Sequence, residues 1–168
     1  MCQVDSEAQP RHVYWLLGKE RTEFSVEDCD AKGRREVLWT GVRGNEDVRN
    51  LTNVRQGDVL YLCESGLSPA ITAILEAVGD PVPDATAWDA EFSKKHWVTK
   101  PDRVMPGCSI GNNPYWAVQV KLVKAFRLAV PLAELAQMSC WTVFDVHNGQ
   151  VTQLSEDQWD AVIEHASG

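Results

Sequence analysis

The residues best equipped for recognition chemistry are the tryptophans and the arginines beside them. The chain holds seven tryptophans: Trp15, Trp39, Trp88, Trp97, Trp116, Trp141 and Trp159. Trp15 and Trp159 sit in apolar, periodic stretches and suit the ordinary role of a large core residue. Trp39 stands in Trp39-Thr40-Gly41-Val42-Arg43-Gly44, with Arg49 shortly after. Trp88, Trp97 and Trp116 lie in or beside a long polar stretch, where full burial is less expected. An aromatic face next to a cation is what stacking on a nucleobase and holding its phosphate requires.

Other chemistries find little support. The five cysteines, Cys2, Cys29, Cys63, Cys108 and Cys140, are scattered with no C-x-x-C. His12, His96, His147 and His165 form no metal-ligand pair, and the His-x-Glu and Pro-Cys-x-x-Cys elements of a zinc deaminase are missing. No metal and no cofactor is therefore expected. Phosphate loop, nucleophile elbow and dinucleotide fingerprint are all absent. Asp58, Glu64 and Asp84 would be the acid/base groups of an enzyme acting on nucleotides, but isolated carboxylates carry almost no specificity.

These residues need elements to position them. His12–Leu17 reads as a strand stopping at Gly18. Ser25-Val26-Glu27-Asp28 has capping-box spacing, and Asn45 is placed to cap a helix running to Asn50–Asn53. Val59–Cys63 is a continuous apolar run suited to a buried strand, and Ala70–Val78 suits its returning partner. Residues 79–114 hold Pro81, Pro83, Pro101, Pro106 and Pro114, which predicts a long irregular excursion, centred on 88–114. Tyr115–Val123 alternates as a strand, and Pro131–Ala136 fits a short helix. Asn148-Gly149 predicts a hairpin between Val143–Val146 and Val151–Leu154. Ser155-Glu156-Asp157-Gln158 opens a last helix with Trp159, Val162 and Ile163 inward. Short strands with few, short helices indicate an α+β fold, a small mixed β-barrel of about five to six strands.

The 168 residues suit one compact domain, residues 1–168, with a flexible start at 1–10. No apolar run could span a bilayer and residues 1–10 do not form a signal peptide, so a cytoplasmic, monomeric protein is expected. The net charge of −8 weighs against a strong, sequence-indifferent duplex binder. Yet acids crowd the two ends, whereas 32–55 and 94–103 each carry a local +3. The bland reading of those basic stretches is solvated surface.

The motifs, taken in order, resemble the EVE domain family, PUA-like and related to YTH and ASCH domains. Tyr14-Trp15-Leu16-Leu17-Gly18-Lys19-Glu20-Arg21 stands for its Y-W-L-M-K-S-E-P. Phe24–Cys29 stands for F-S-I-E-D-L, and Trp39–Asn50 for W-D-G-V-R-N-Y-Q-A-R-N with one residue more. Val54–Asp58 matches M-K-x-G-D, Cys63-Glu64-Ser65 the Y-H-S turn, and Val82–Asp89 Y-P-D-x-T-x-x-D. Trp116–Val120, Pro131–Leu135 and Gly149–Trp159 complete a collinear match over about 12–165. The chain departs from the pattern at Gly18 and Arg21, at Cys63-Glu64, and at Gly149-Gln150.

The resemblance implies a PUA-like barrel that reads a modified base, swung out into an aromatic pocket. Carried onto this chain, the pocket comprises Trp15, Lys19, Trp39, Gly41, Val42, Glu64, Ser65 and Trp116. Trp39 and Trp116 would stack, Glu64 and Ser65 would bond base edges, and Glu64 would suit the exocyclic amine of cytosine. Arg43, Arg49, Lys94 and Lys95 would hold phosphates. The partner is then DNA carrying a 5-substituted cytosine, with a nuclease or ATPase domain as a further associate. Modified RNA, an enzymatic role, and an adaptor using the acidic C-terminal helix remain open at this stage.

Overall fold

In the computed structural model, the described residues are 13–20, 24–30, 36–66, 68–89, 108–109, 111–138, 140–141 and 150–167. Their elements run β1 (Tyr14–Glu20), α1 (Val26–Asp30), β2 (Glu36–Val42), α2 (Asn45–Leu51), β3 (Val59–Ser65) and β4 (Ala70–Ala77). Then come β5 (Val82–Pro83), a 3-10 turn (Thr86–Trp88), β6 (Trp116–Pro131), α3 (Leu132–Leu135), β7 (Gln150–Leu154) and α4 (Glu156–Ser167). The strands form one seven-stranded mixed sheet ordered β2-β6-β4-β3-β1-β7, with β5 added to β6. Only β1 and β3 run parallel among these pairs. Register shifts in three of the pairings bend the sheet, in keeping with the curl of a PUA-like half-barrel.

Side-chain alternation divides the interior. Trp15 and Leu17 of β1 join Leu60 and Leu62 of β3 in one core, which takes Cys29 from α1 and Leu51 from α2. Leu16, Tyr61 and Cys63 face the other way, into a core completed by Leu135 from α3 and by Trp159 and Val162 from α4. Each of these large side chains contributes roughly 1.5–3 kcal/mol on burial. The sheet is thus the middle layer and carries apolar residues on both faces, which is why β3 reads as an unbroken apolar run.

Helix ends follow their capping chemistry, with one correction. At α4, the Ser155 backbone N–H donates to Gln158 Oε1 (2.9 Å), and the Gln158 N–H donates to Ser155 Oγ (3.2 Å). At α1, the Ser25 N–H donates to Asp28 Oδ2 (2.8 Å). At α2 the cap is Gly44, at φ 89°, rather than Asn45, and no side chain caps it. A left-handed turn is needed to leave β2, and glycine adopts it without a Cβ clash. The helix is instead tied down laterally. Asn50 Nδ2 donates to the Val151 carbonyl (2.8 Å), and the Val151 N–H donates to Asp47 Oδ1 (3.0 Å), which satisfies the outward groups of β7.

Two strand ends and one buried position differ from the sequence reading. β1 does not stop at Gly18 but runs on to Glu20, bringing Lys19 into the sheet. β6 does not end at Val123; it continues to Pro131, because register shifts against β4 change the phase of its alternation without ending its pairing. Ile163 is exposed instead of inward, since the buried stripe of α4 runs through Trp159, Val162 and Ala166 with Ala161 on its flank. Within 79–114, Val82–Pro83 and Thr86–Trp88 are regular. The first half of the expected hairpin, Val143–Val146, lies outside the described residues.

Candidate nucleic-acid interface

The geometry of the site begins with an extra residue in β2. Trp39 pairs with Val118 and Val42 with Trp116, so β2 carries one residue more than β6 across this interval. Gly41 absorbs it at φ 81°. The bulge turns the Gly41 N–H away from the ladder to donate to Asp84 Oδ2 (2.8 Å). It also presents the Thr40 carbonyl and hydroxyl to Lys19, whose Nζ donates to them at 2.6 and 3.2 Å. Bulges commonly re-aim side chains at functional sites, and this one gathers three strands.

The residues so gathered are polar and buried. Lys19, Thr40, Glu64 and Asp84 are all buried, though charged groups rarely are unless something holds them. Lys19 and Glu64 are register partners on the parallel β1–β3 pair. The Lys19 Nζ stands 5.7 Å from the centroid of the Trp39 ring, within cation–π range. Trp39 is fully buried, and its Nε1 is a donor with no hydrogen-bond partner. A buried donor left unmade costs about 1–3 kcal/mol.

Asp84 fixes the far wall. Its Oδ1 accepts from the Thr86 N–H (2.9 Å) and the Thr86 hydroxyl (2.5 Å), while Asn113 Nδ2 donates to its carbonyl (2.6 Å). Its own N–H donates to the Tyr115 carbonyl (2.9 Å), joining the wall to the start of β6. Trp116, half-buried, follows there opposite Val42.

Some of the expected site residues come together and others do not. Lys19, Trp39 and Gly41 meet at the Thr40 bulge, with Glu64 beside Lys19 across the β1–β3 pair and Trp116 opposite Val42. Val42 is fully buried and serves the core. Trp15 lies four residues before Lys19, at the other end of β1, where its Nε1 donates to Asp58 Oδ2 (3.1 Å). It is a core residue and not part of the cluster. Ser65 shares the strand end, but alternation puts it on the Tyr61–Cys63 face, opposite Glu64. Its Oγ is buried and has no partner. Arg43, just after β2, and Arg49, on α2, are exposed. Lys94 and Lys95 lie outside the described residues. Thr40 was not singled out in the sequence, which holds no signal for it. Asp84 was named only as a candidate acid; the Asp84-Ala85-Thr86 spacing of a side-chain-capped turn would have shown its structural role.

The thiol and carboxylates of this part of the sheet are buried or already hydrogen-bonded. The Cys63 thiol is pushed up to about 12 by burial and then by the neighbouring Glu64 carboxylate, which keeps it protonated and unreactive. Asp84 already accepts three hydrogen bonds, and Asp58 accepts from both Trp15 Nε1 and the Arg55 N–H (2.9 Å). Among the described residues no group of His, Cys, Asp and Glu is placed to hold a metal ion. No helix among them is long and apolar enough to cross a membrane.

The family model of the EVE domain matches residues 13–165, from the residue before β1 into α4. The chain belongs to the EVE domain family. Among solved structures, this EVE domain is similar to human THYN1 in complex with DNA containing 5-methylcytosine, at 22% identity and a TM-score of 0.72, over 93% of this chain and 98% of that one. It is similar to a protein from Leishmania major at 22% identity and a TM-score of 0.76, over 94% and 96% of the two chains. A protein from Pseudomonas syringae gives 25% identity and a TM-score of 0.73, over 91% and 99%. No curated protein matches the chain in sequence. These likenesses establish the PUA-like fold across the whole EVE domain.

Proposed function

We propose that this EVE domain is a non-catalytic reader of a modified base in DNA, taking a 5-substituted cytosine such as 5-methylcytosine or 5-hydroxymethylcytosine out of the duplex. The observation that carries the reading is the buried Trp39, its Nε1 without a partner, set among Lys19, Thr40 and Glu64. A planar ring with polar edges is the ligand such a set suits. Trp39 offers a donor, the Glu64 carboxylate an acceptor for an exocyclic amine, and Trp116 a partly open face for stacking. Arg43 and Arg49 are exposed and free to meet phosphates. The likeness to THYN1, whose structure holds DNA with 5-methylcytosine, supports the same reading.

The energetics are balanced. Extruding a base costs a few kcal/mol, and stacking on an aromatic ring returns roughly 1–3 kcal/mol. A buried methyl adds about 0.8 kcal/mol, so a methyl contact alone discriminates only a few-fold. Trp39 is fully covered without ligand, so a base reaches its edge only as the covering groups move aside. That opening makes shape the larger part of the discrimination.

Fluorescence-anisotropy titration of duplexes carrying a central cytosine, 5-methylcytosine or 5-hydroxymethylcytosine tests this, with matched RNA as a further arm. Wild type is expected to favour a modified duplex. Trp39→Phe keeps the ring and deletes the donor, and is expected to weaken that binding about ten-fold, one hydrogen bond's worth. Equal, salt-insensitive binding to every oligonucleotide overturns the reading; preference for the RNA transfers it to RNA.

A further inference from the structure

Trp88 is the one aromatic side chain among the exposed large hydrophobic residues described, at 37% exposure. It ends the 3-10 turn Thr86–Trp88, where its N–H donates to the Ala85 carbonyl (3.1 Å). The ring meets Tyr115 at an edge, with centroids 6.3 Å apart and planes at 67°. The contact is not a stack, and among the described residues no ring is stacked on the indole.

The turn that carries this ring is tied to the candidate pocket. The Asp84 carboxylate takes the Gly41 N–H on one oxygen and the Thr86 N–H and hydroxyl on the other. The bulge beside Trp39 and the turn carrying Trp88 are therefore braced by one side chain. Asn113 and Tyr115, just before β6, brace the same residue. A mobile surface indole is common and means little. One pinned to the rim of a buried polar cluster is a preorganised platform.

We infer that Trp88 forms a second aromatic subsite, which stacks on the nucleobase next to the one drawn into the Trp39 cluster. The inference rests on the base-reader reading above and extends it to the flanking nucleotide. Extrusion of one base leaves its neighbour without a stacking partner on that side. An aromatic face fixed beside the pocket replaces the missing partner, and it does so for any base, since each has a π-face. The subsite thus adds affinity without adding sequence preference.

The test uses 5-methylcytosine duplexes with 2-aminopurine placed on each side of the modified base in turn, and free 5-methyl-2′-deoxycytidine. Trp88→Ala is expected to weaken duplex binding roughly ten-fold, and Trp88→Phe to restore most of it. Wild type quenches 2-aminopurine on one side and Trp88→Ala does not. Affinity for the free nucleoside, which has no neighbour, stays the same in both. Unchanged duplex affinity in Trp88→Ala overturns the inference, as does an equal loss of duplex and nucleoside binding. A wild type that does not prefer the modified duplex overturns the base-reader reading instead; Trp88→Ala still reads the stacking contact on the unmodified duplex, and no loss there removes the subsite too.

Discussion

Trp159 and Trp39 lie on opposite sides of one sheet and have opposite surroundings. Trp159 is stacked on Tyr61 at a centroid distance of 3.7 Å and on Tyr14 at 4.6 Å, with planes within 17° and 19° of parallel. Its carbonyl accepts the Tyr61 hydroxyl at 3.0 Å. Trp39 has a lysine amine near its ring and an indole N–H that bonds nothing. The first environment is complete in itself. The second holds buried polar groups around a donor left open, a state that costs stability. One sheet therefore separates a ring whose partners are complete from a ring whose donor is open.

Breaking the stack is the harshest test of that division. Trp159→Ala is expected to cost about 3–5 kcal/mol, measured as a fall in the urea midpoint at constant slope. Oligonucleotide binding per folded molecule is expected to be unchanged. A cost under about 1 kcal/mol would show that the stack is ornamental and remove one side of the comparison.

Lys19→Met probes the other face. The methionine fills most of the volume, while the Thr40 carbonyl loses its donor, for an expected cost of about 1–3 kcal/mol. Binding to the modified duplex is expected to fall at least as much as it does in Trp39→Phe, since the bulge loses its support. The comparison fails if Lys19→Met unfolds the protein more than Trp159→Ala does yet leaves binding intact.

The gentlest probe, which needs no substitution, is the pH dependence of the Trp159 face. Burial first, and the Glu64 charge second, raise Cys63 from 9.0 to about 12, and burial also raises Tyr61. A raised value in the folded state means that the unfolded chain loses its proton first. Stability from these groups is then whole below about pH 9.0 and declines as pH climbs toward 12. Urea midpoints across the alkaline range are expected to show that decline, shallower in Cys63→Ala. Iodoacetamide at neutral pH is expected to modify Cys108 and Cys140, both partly exposed, and to leave Cys29 and Cys63 untouched. Rapid modification of Cys63 would show that the face is open.

Much of the fold was legible because its signals are local. The Ser155–Gln158 box, the apolar run of β3 and the collinear motifs each depend on neighbours a few residues away. The site was only partly legible because it depends on register. Nothing local to Trp39-Thr40-Gly41 tells whether the ring is covered. In the sheet, Gly41 is a bulge inside a strand and Trp39 is fully buried. Trp15 and Lys19 look equivalent in sequence, yet four residues of extended chain put them at opposite ends of β1, ~13 Å apart. Glu64 and Ser65 are adjacent and face opposite ways. The bond from Gly41 to Asp84 joins segments that no local pattern connects.

The place of β1 in the sheet also sets when its pairing can be complete. Tyr14 pairs with Val59 on one side and with Leu154 on the other, so the first of the described strands is flanked by the last of them. At roughly 5–20 residues per second, a ribosome needs several seconds to move from one to the other. Until then the chain can build the β3–β4–β6 antiparallel ladder, but β1 lacks its outer neighbour and Val151 has not met Asp47 and Asn50. Such non-local closure is slow, and it completes the pairing of the strand that carries Lys19. β1 is thus fully paired only after β3, β4 and β6 are in place beside it.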